Sequence, residues 1–306
     1  MKGLCKSCEG LHFAGLLAVL LAGCTAISDL DRFETVEDGG SGGKGGGGAG
    51  GSAGEDAGSG GKDDLSCKNP STLCLQLTNY TPHLTQLVQV DLVTNDDNTL
   101  RTRAIFDPLG PGDGSVDFAL PRAIPENEVP DDDEDHPLHL EIFADANDDG
   151  MYTLNEDHDW NVELPASGTL VYPHNSDFSA LDPPPRGQGA DFTMQLTGMG
   201  VHMGLRLEVM VIQTLPRNEL GRTVGFYRIP KIASDTIDIR IPEIIDPGIQ
   251  YTVEFYADAN DNRQYDPPNT DHTWIETGES NEDGFHVDFA HGTTFSDLAY
   301  QVPFKK

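Results

Sequence analysis

Apolar and polar residues alternate along many short stretches of this chain. In residues 205–211, leucine and valine alternate with Arg206, Glu208 and Met210, and the same period of two recurs over 237–241 and 252–255. Proline, glycine, asparagine and aspartate interrupt these stretches, which is typical of half-buried antiparallel strands joined by turns. No comparable helical periodicity follows the first 24 residues. The pattern therefore predicts an all-β fold.

The strand pattern occurs twice. The sequence LQLT at 75–78 returns as MQLT at 194–197, and EIFADANDDGMY at 141–152 returns as EFYADANDNRQY at 254–265. Each copy of the longer match is followed by Asp-His-x-Trp. The same motifs in the same order predict two copies of one fold.

We therefore predict two tandem antiparallel β-sandwich domains of the immunoglobulin-like or prealbumin-like kind. Repeat 1 is expected at residues 67–182 and repeat 2 at 188–306, on either side of a proline-rich connector. About 230 residues suit two domains of ordinary size better than one. The alternative is one continuous structure of about fourteen strands.

Residues 1–23 have the features of an export signal. Two lysines precede an apolar run, residues 13–21, that is too short to span a bilayer. The sequence LAGC at 21–24 resembles the lipobox of bacterial lipoproteins. The resemblance implies cleavage before Cys24 and acylation of Cys24, which would anchor the mature chain to a membrane.

A lipidated linker is expected over residues 24–66. Of the 23 residues from Gly39 to Gly61, 14 are glycine, so this segment cannot bury a core and should be a disordered tether. Thr25 is not the aspartate that retains such lipoproteins in the inner membrane of enteric bacteria, so by analogy we expect the outer membrane, facing the periplasm or the cell surface. The plan resembles that of myxobacterial lipoproteins whose activities are not assigned.

Two cysteines remain after the lipobox. Cys67 and Cys74 lie seven residues apart in a chain that is predicted to be exported. A disulfide is the expected state in an oxidising compartment. A metal site is the weaker interpretation, because two thiols cannot complete the four positions of zinc.

The duplicated motif contains an oxygen-rich loop. Asp145-x-Asn147-x-Asp149-Gly150-x5-Glu156 matches the twelve-residue calcium loop of EF-hands, but strands flank it instead of helices. It resembles the loops of bacterial surface β-sandwich modules such as the SdrD B-type repeats, which implies bound Ca²⁺. The expected ligands are Asp145, Asn147, Asp149, Met151, Glu156 and Asp157 in repeat 1, and Asp258, Asn260, Asn262, Gln264, Asp266 and Asp271 in repeat 2.

The second loop departs from the first. Arg263 stands in place of Gly150, and Asn269 in place of Glu156, which predicts weaker calcium binding in repeat 2. The alternative for both loops is a turn rich in Asp and Asn that holds no ion.

Histidines also recur between the copies. The equivalent pairs are His83 and His202, His158 and His272, and His174 and His291. Three imidazoles with a carboxylate would suit zinc or copper. Alternatively, each histidine hydrogen-bonds a loop or packs beside Trp160 or Trp274, and the wide spacing favours this interpretation.

Charge and motifs narrow the functional classes. A net charge of −32 opposes binding to nucleic acid and to anionic membrane surfaces. Outside the glycine-rich linker, the chain contains no Gly-x-Ser-x-Gly motif, and it contains no phosphate-binding motif, so we expect a non-enzyme. The leading hypothesis is a lipid-anchored, calcium-binding envelope protein that binds or scaffolds another envelope protein or a polysaccharide. The alternative is a copper- or zinc-binding or redox-accessory protein that uses the repeated histidines.

Overall fold

The computed structural model describes residues 66–110, 114–129, 137–150, 152–179, 187, 189–215 and 221–301. The expected signal peptide, Cys24, the linker up to residue 65, and Met151 lie outside these ranges. The prediction of an all-β fold is confirmed. Among the described residues, no helix is both long enough and apolar enough to cross a membrane.

Each repeat contributes seven strands to the described ranges. Those of repeat 1 are β1 (Leu73–Thr78), β2 (Val88–Thr94), β3 (Leu100–Phe106), β4 (Ser115–Leu120), β5 (Leu138–Ala144), β6 (His158–Glu163) and β7 (Thr169–Pro173). Those of repeat 2 are β8 (Ala190–Thr197), β9 (Leu207–Gln213), β10 (Thr223–Ile229), β11 (Ile237–Ile245), β12 (Gln250–Ala257), β13 (His272–Glu279) and β14 (Phe285–Ala290). Short 3-10 helices occur at Thr81–His83, Glu126–Glu128 and Met199–His202.

The strands form one large sheet and two small ones. The large sheet has the order β13-β12-β9-β10-β3-β2-β5-β6, and the small sheets have the orders β4-β1-β7 and β11-β8-β14. The order is symmetric about the junction of β3 and β10, so each strand of repeat 1 has its equivalent in repeat 2. Most neighbours are antiparallel, as predicted, but three pairs are parallel: β1 with β7, β8 with β14, and β3 with β10.

The two repeats share the large sheet and cover opposite faces of it. Along β9, Met210 belongs to the core of repeat 1, whereas its neighbours Val209 and Val211 belong to the core of repeat 2. Because successive side chains of a strand point to opposite faces, the two cores lie on opposite sides of the sheet. The tandem sandwiches are thus joined through β3 and β10.

Buried ion pairs reinforce this fusion. Arg103 on β3 donates to the carboxylate of Asp91 at 2.8–2.9 Å and also to the backbone carbonyl of Pro242, in repeat 2, at 3.0 Å. In the other direction, Arg228 pairs with Glu208 at 2.7 Å and donates to the carbonyl of Asp117, in repeat 1, at 3.3 Å. Each repeat therefore supplies a backbone acceptor to an arginine of the other.

A disulfide joins Cys67 to Cys74, as predicted, with the two Cα atoms 5.8 Å apart. Cys74 lies in β1, the central strand of its small sheet. The bond therefore fixes the segment that enters repeat 1 to the strand that both β4 and β7 flank.

Candidate metal centres

The six recurring histidines occupy equivalent places in the fold. His83 and His202 end the 3-10 helices that precede β2 and β9. His158 and His272 are the first residues of β6 and β13. His174 and His291 directly follow β7 and β14, and the backbone N–H of each donates to the last residue of the neighbouring strand β1 or β8, at 2.8 Å.

These positions bring the histidines together in two groups of three, one in each repeat. The ligand atoms of His83, His158 and His174 all lie within 4.8 Å of one another, and those of His202, His272 and His291 do the same. We call the first group site 1 and the second group site 2. The chain is folded so that residues up to 91 positions apart in sequence share one small volume.

Each histidine also has one buried ring nitrogen without a hydrogen-bond partner. In site 1 these atoms are Nε2 of His83, Nδ1 of His158 and Nε2 of His174, and site 2 repeats the set as Nε2 of His202, Nδ1 of His272 and Nε2 of His291. Buried polar atoms are normally hydrogen-bonded, so six exceptions in two matching sets require an explanation. A metal ion would accept all three lone pairs of a set.

Burial favours the neutral form of four of the six rings. Burial, together with the neighbouring imidazoles, lowers the pKa of His83 below its usual value and lowers the pKa of His202 to about 4. Burial likewise lowers the pKa values of His174 and His272. Neutral imidazole is the form that ligates metals. These four rings are thus in the form that can bind a metal ion.

A tryptophan supports each site from within the core. The ring of Trp160 lies 5.7 Å from that of His83 and 5.3 Å from that of His174, between ring centroids. Trp274 has the same relation to its own site, at 5.7 Å from His202 and 5.6 Å from His291. The histidines therefore pack beside a tryptophan, as one interpretation of the sequence expects. They also converge on one another, as the metal-site interpretation requires.

Two phenylalanines that the sequence analysis missed cover the half-buried histidines. Phe178 stacks on His158 with centroids 4.2 Å apart, and Phe295 stacks on His272 at 4.3 Å. Each phenylalanine follows the third histidine of its site by four residues, so the spacing His-x3-Phe occurs in both copies. This repeated spacing is the feature of the sequence that identifies the two phenylalanines.

The first predicted calcium loop is held together by its own side chains. The carboxylate of buried Asp145 accepts the backbone N–H groups of Asp149 and Gly150, at 3.2 and 2.7 Å. Asn147 Nδ2 lies 3.2 Å from Asp149 Oδ2 and 3.1 Å from Glu156 Oε2. Four of the predicted ligands thus come together in one loop.

Asp157, another predicted ligand, closes this loop. Its carboxylate accepts the backbone N–H groups of Ala146 and Thr153, at 2.8 and 2.7 Å. Because His158 is the next residue, the carboxylate that closes the loop adjoins a ligand position of site 1. The calcium loop and the histidine site are therefore neighbours in the fold.

The second loop repeats this design with substitutions. Asp258 accepts the N–H groups of Asn262 and Arg263, and Asp271 accepts those of Ala259 and Asp266. Arg263 adopts a φ of 67°, the left-handed region that Gly150 occupies in repeat 1 with a φ of 77°. The predicted ligands of this loop are connected as follows: Nδ2 of both Asn260 and Asn262 donates to Asp266 Oδ2, and Gln264 N donates to Asn262 Oδ1.

Comparisons with known proteins add little to this geometry. No family model matches the chain, and no curated protein matches it significantly. Among solved structures, the chain is similar to a putative adhesin from Bacteroides ovatus at 11% identity, over 72% of this chain and 87% of that chain, with a TM-score of 0.17. A score this low carries no argument about function.

Proposed function

We propose that this chain is a lipid-anchored envelope protein that binds two transition-metal ions, one at site 1 and one at site 2. The observation that carries the proposal is the pair of matching sets of buried, unpartnered imidazole nitrogens, each set confined within 4.8 Å. Nitrogen donors suit zinc and copper, whereas calcium and magnesium prefer oxygen. Between these metals, affinity at such a site is expected to favour Cu²⁺.

A set of three histidine ligands favours a site that binds and exchanges its metal ion over a site that only stabilises the fold. Within the described residues, each group consists of three histidines and includes no cysteine, aspartate or glutamate. Structural zinc sites use four protein ligands, whereas three leave a position for water or an incoming ligand. We propose a non-catalytic role in holding or transferring the metal at the envelope.

The test is a metal titration of the purified full chain. With Cu²⁺ or Zn²⁺ we expect two ions per chain, and replacing His158 by Ala should reduce the number to one. His286→Ala is the matched control, because His286 is exposed and lies outside both sites. An unchanged stoichiometry in a chain that carries both His158→Ala and His272→Ala would overturn the proposal.

Calcium binding by the two loops is a second candidate function. It is supported by the position of Asn147 Nδ2 between the carboxylates of Asp149 and Glu156, because two carboxylates that approach one point attract a cation there. At a free calcium concentration about 100 times the dissociation constant, binding would stabilise the fold by about 2.7 kcal/mol per site.

Thermal melting of the full chain tests this second candidate. The chain is first freed of transition metals, and its melting temperature is then compared in calcium and in EGTA. We expect Asp149→Asn to remove a large part of the calcium-dependent rise, and the exposed neighbour Asp148 to tolerate the same change. Identical melting temperatures in calcium and EGTA would contradict calcium binding and would leave the proposal for the histidine sites intact.

A further inference from the structure

The turn after the first histidine of each site has the same backbone but a different side chain. Gln86 N donates to the carbonyl of His83 at 3.0 Å, and Leu205 N donates to the carbonyl of His202 at 3.0 Å. Each residue stands three positions after its histidine and two positions before the strand that follows, β2 or β9. Gln86 and Leu205 are therefore structurally equivalent.

In site 1 this equivalent position contacts the ligand. Gln86 Oε1 lies 2.7 Å from Nδ1 of His83, while Nε2 of the same ring is the buried, unpartnered atom of the site. An amide oxygen only accepts, so Nδ1 must carry the proton and Nε2 must carry the lone pair. The contact thus selects the tautomer that can ligate a metal through Nε2.

In site 2 the same position cannot provide that contact. Leu205 has an aliphatic side chain, which neither accepts a hydrogen bond nor selects a tautomer of His202. His202 is as deeply buried as His83, at 2% and 1% exposure, so burial does not distinguish the two rings. The difference between them lies in the residue that orients the ring.

We propose that the two sites bind metal with unequal affinity, that site 1 fills first, and that Gln86 is the positioning residue that sets the difference. The inference rests on the proposed function, since it assumes that both sites bind a metal. Partners that orient a metal-ligating histidine typically change metal affinity by about 10- to 100-fold. Such a gap would make the protein load its ions in sequence.

Single-site chains allow each affinity to be measured in the full-length protein. His272→Ala removes a ligand of site 2 and leaves site 1, and His158→Ala does the reverse. Titration with Cu²⁺ against a competing chelator should give a dissociation constant about 10-fold or more lower for site 1. The electron paramagnetic resonance spectrum of the bound Cu²⁺ should also differ between the two chains.

Exchanging the side chains at positions 86 and 205 then tests whether they cause the difference in metal affinity. In the site 1 chain, Gln86→Leu should weaken binding about 10-fold or more, whereas Gln86→Glu, which keeps an acceptor, should retain most of the affinity. In the site 2 chain, Leu205→Gln should strengthen binding and shift the spectrum toward that of site 1. The gain in site 2 does not depend on whether Gln86→Leu folds well.

Three outcomes would overturn the inference. Equal affinities of the two single-site chains would remove the inequality while leaving metal binding intact. Equal loss of affinity in Gln86→Leu and Gln86→Glu would assign the effect to packing instead of the hydrogen bond. Absence of Cu²⁺ binding in both chains would overturn the inference and the proposed function together.

Discussion

The indole N–H of Trp160 donates to the backbone carbonyl of Asn175 at 3.2 Å, and Asn175 is the residue directly after His174. Trp274 makes the equivalent bond to Gly292, after His291, at 3.0 Å. Each tryptophan thus uses its ring to support the histidines of its site and its N–H to fix the backbone beside the third one. The strand that carries the second histidine also positions the loop that carries the third.

Replacing Trp160 by Phe should separate these two roles, since phenylalanine keeps a ring and loses the N–H. We expect a loss of about 1 kcal/mol in the free energy of unfolding from the hydrogen bond, a further loss from the space that the smaller ring leaves in the core, and a weaker affinity for metal at site 1. Chemical denaturation and metal titration provide the two measurements. Trp274→Phe should affect site 2 alone, and a Trp160→Phe chain with unchanged site 1 affinity would show that the N–H has no positioning role.

The stability of the metal-free protein should depend on pH through His202. Burial lowers the pKa of His202 to about 4 in the folded chain, whereas an unfolded histidine titrates near 6.5. The unfolded state therefore takes up the proton first as pH falls. Stability from this group is fully present above about pH 6.5 and is lost as pH falls toward about 4.

Denaturation of the metal-free chain at pH 7 and pH 5 tests this prediction. We expect His202→Gln to reduce the fall in unfolding free energy between the two values, and the exposed His286→Gln to leave it unchanged. An equal fall in the chain with and without His202 would contradict the assignment.

The fused sheet predicts that both repeats unfold in one transition. β3 and β10 pair directly, and Arg103 joins buried Asp91 to a carbonyl of repeat 2. Arg103→Leu should cost about 3–5 kcal/mol because it leaves the Asp91 charge buried and unpaired. Adding Asp91→Leu should recover part of that loss. Two well-separated calorimetric transitions in the wild-type chain would show that the repeats unfold independently.

The disulfide should stabilise the entry to repeat 1. Replacing Cys67 and Cys74 by Ala opens a short loop, and the chain-entropy model gives a loss of about 2–3 kcal/mol in unfolding free energy. Reduction of the wild-type protein provides an independent measurement of the same bond. A doubly substituted chain with the stability of the oxidised wild type would contradict the prediction.

The resemblance of residues 21–24 to a lipobox predicts that the mature protein begins at an acylated Cys24. Cys24→Ser should abolish acylation, and the protein should leave the membrane fraction or remain as an uncleaved precursor. Mass spectrometry of the amino-terminal peptide and fractionation of cells provide the measurements. A Cys24→Ser protein that is processed and still retained in membranes would argue against a lipid anchor.

Local patterns predicted the strands and the duplication, but not the way in which the two copies join. The alternation in residues 205–211 placed β9 correctly, and the repeated motifs marked equivalent strands. The parallel pairing of β3 with β10 joins residues about 120 positions apart, and no feature local to either strand encodes it. Both faces of the central strands are buried, and Arg103 shows how a charged residue is accommodated on one of them.

In the sequence, the histidine sites appear only as histidines that recur at equivalent positions of the two repeats. Their wide spacing in the sequence does not indicate a shared ligand set, because residues far apart in sequence meet only through the tertiary fold. In the structure, the end of a 3-10 helix brings His83, the start of β6 brings His158, and the residue after β7 brings His174 to one place. Gln86 gave no such signal, since its counterpart Leu205 differs and the contact between Gln86 and His83 is visible only in the structure.

The pairing of the strands gives the folded part of the chain a polarity. His158 pairs with Ala144 at the end of β5, and His272 pairs with Ala257 at the end of β12. Because β3 and β10 are parallel, both histidines lie at one pole of the large sheet. β1 runs toward that pole from Cys74 and ends at Thr78, so the disulfide lies toward the opposite pole, about 13 Å away along the strand. The described part of the chain therefore enters repeat 1 at the disulfide pole, and both imidazole clusters lie at the other pole.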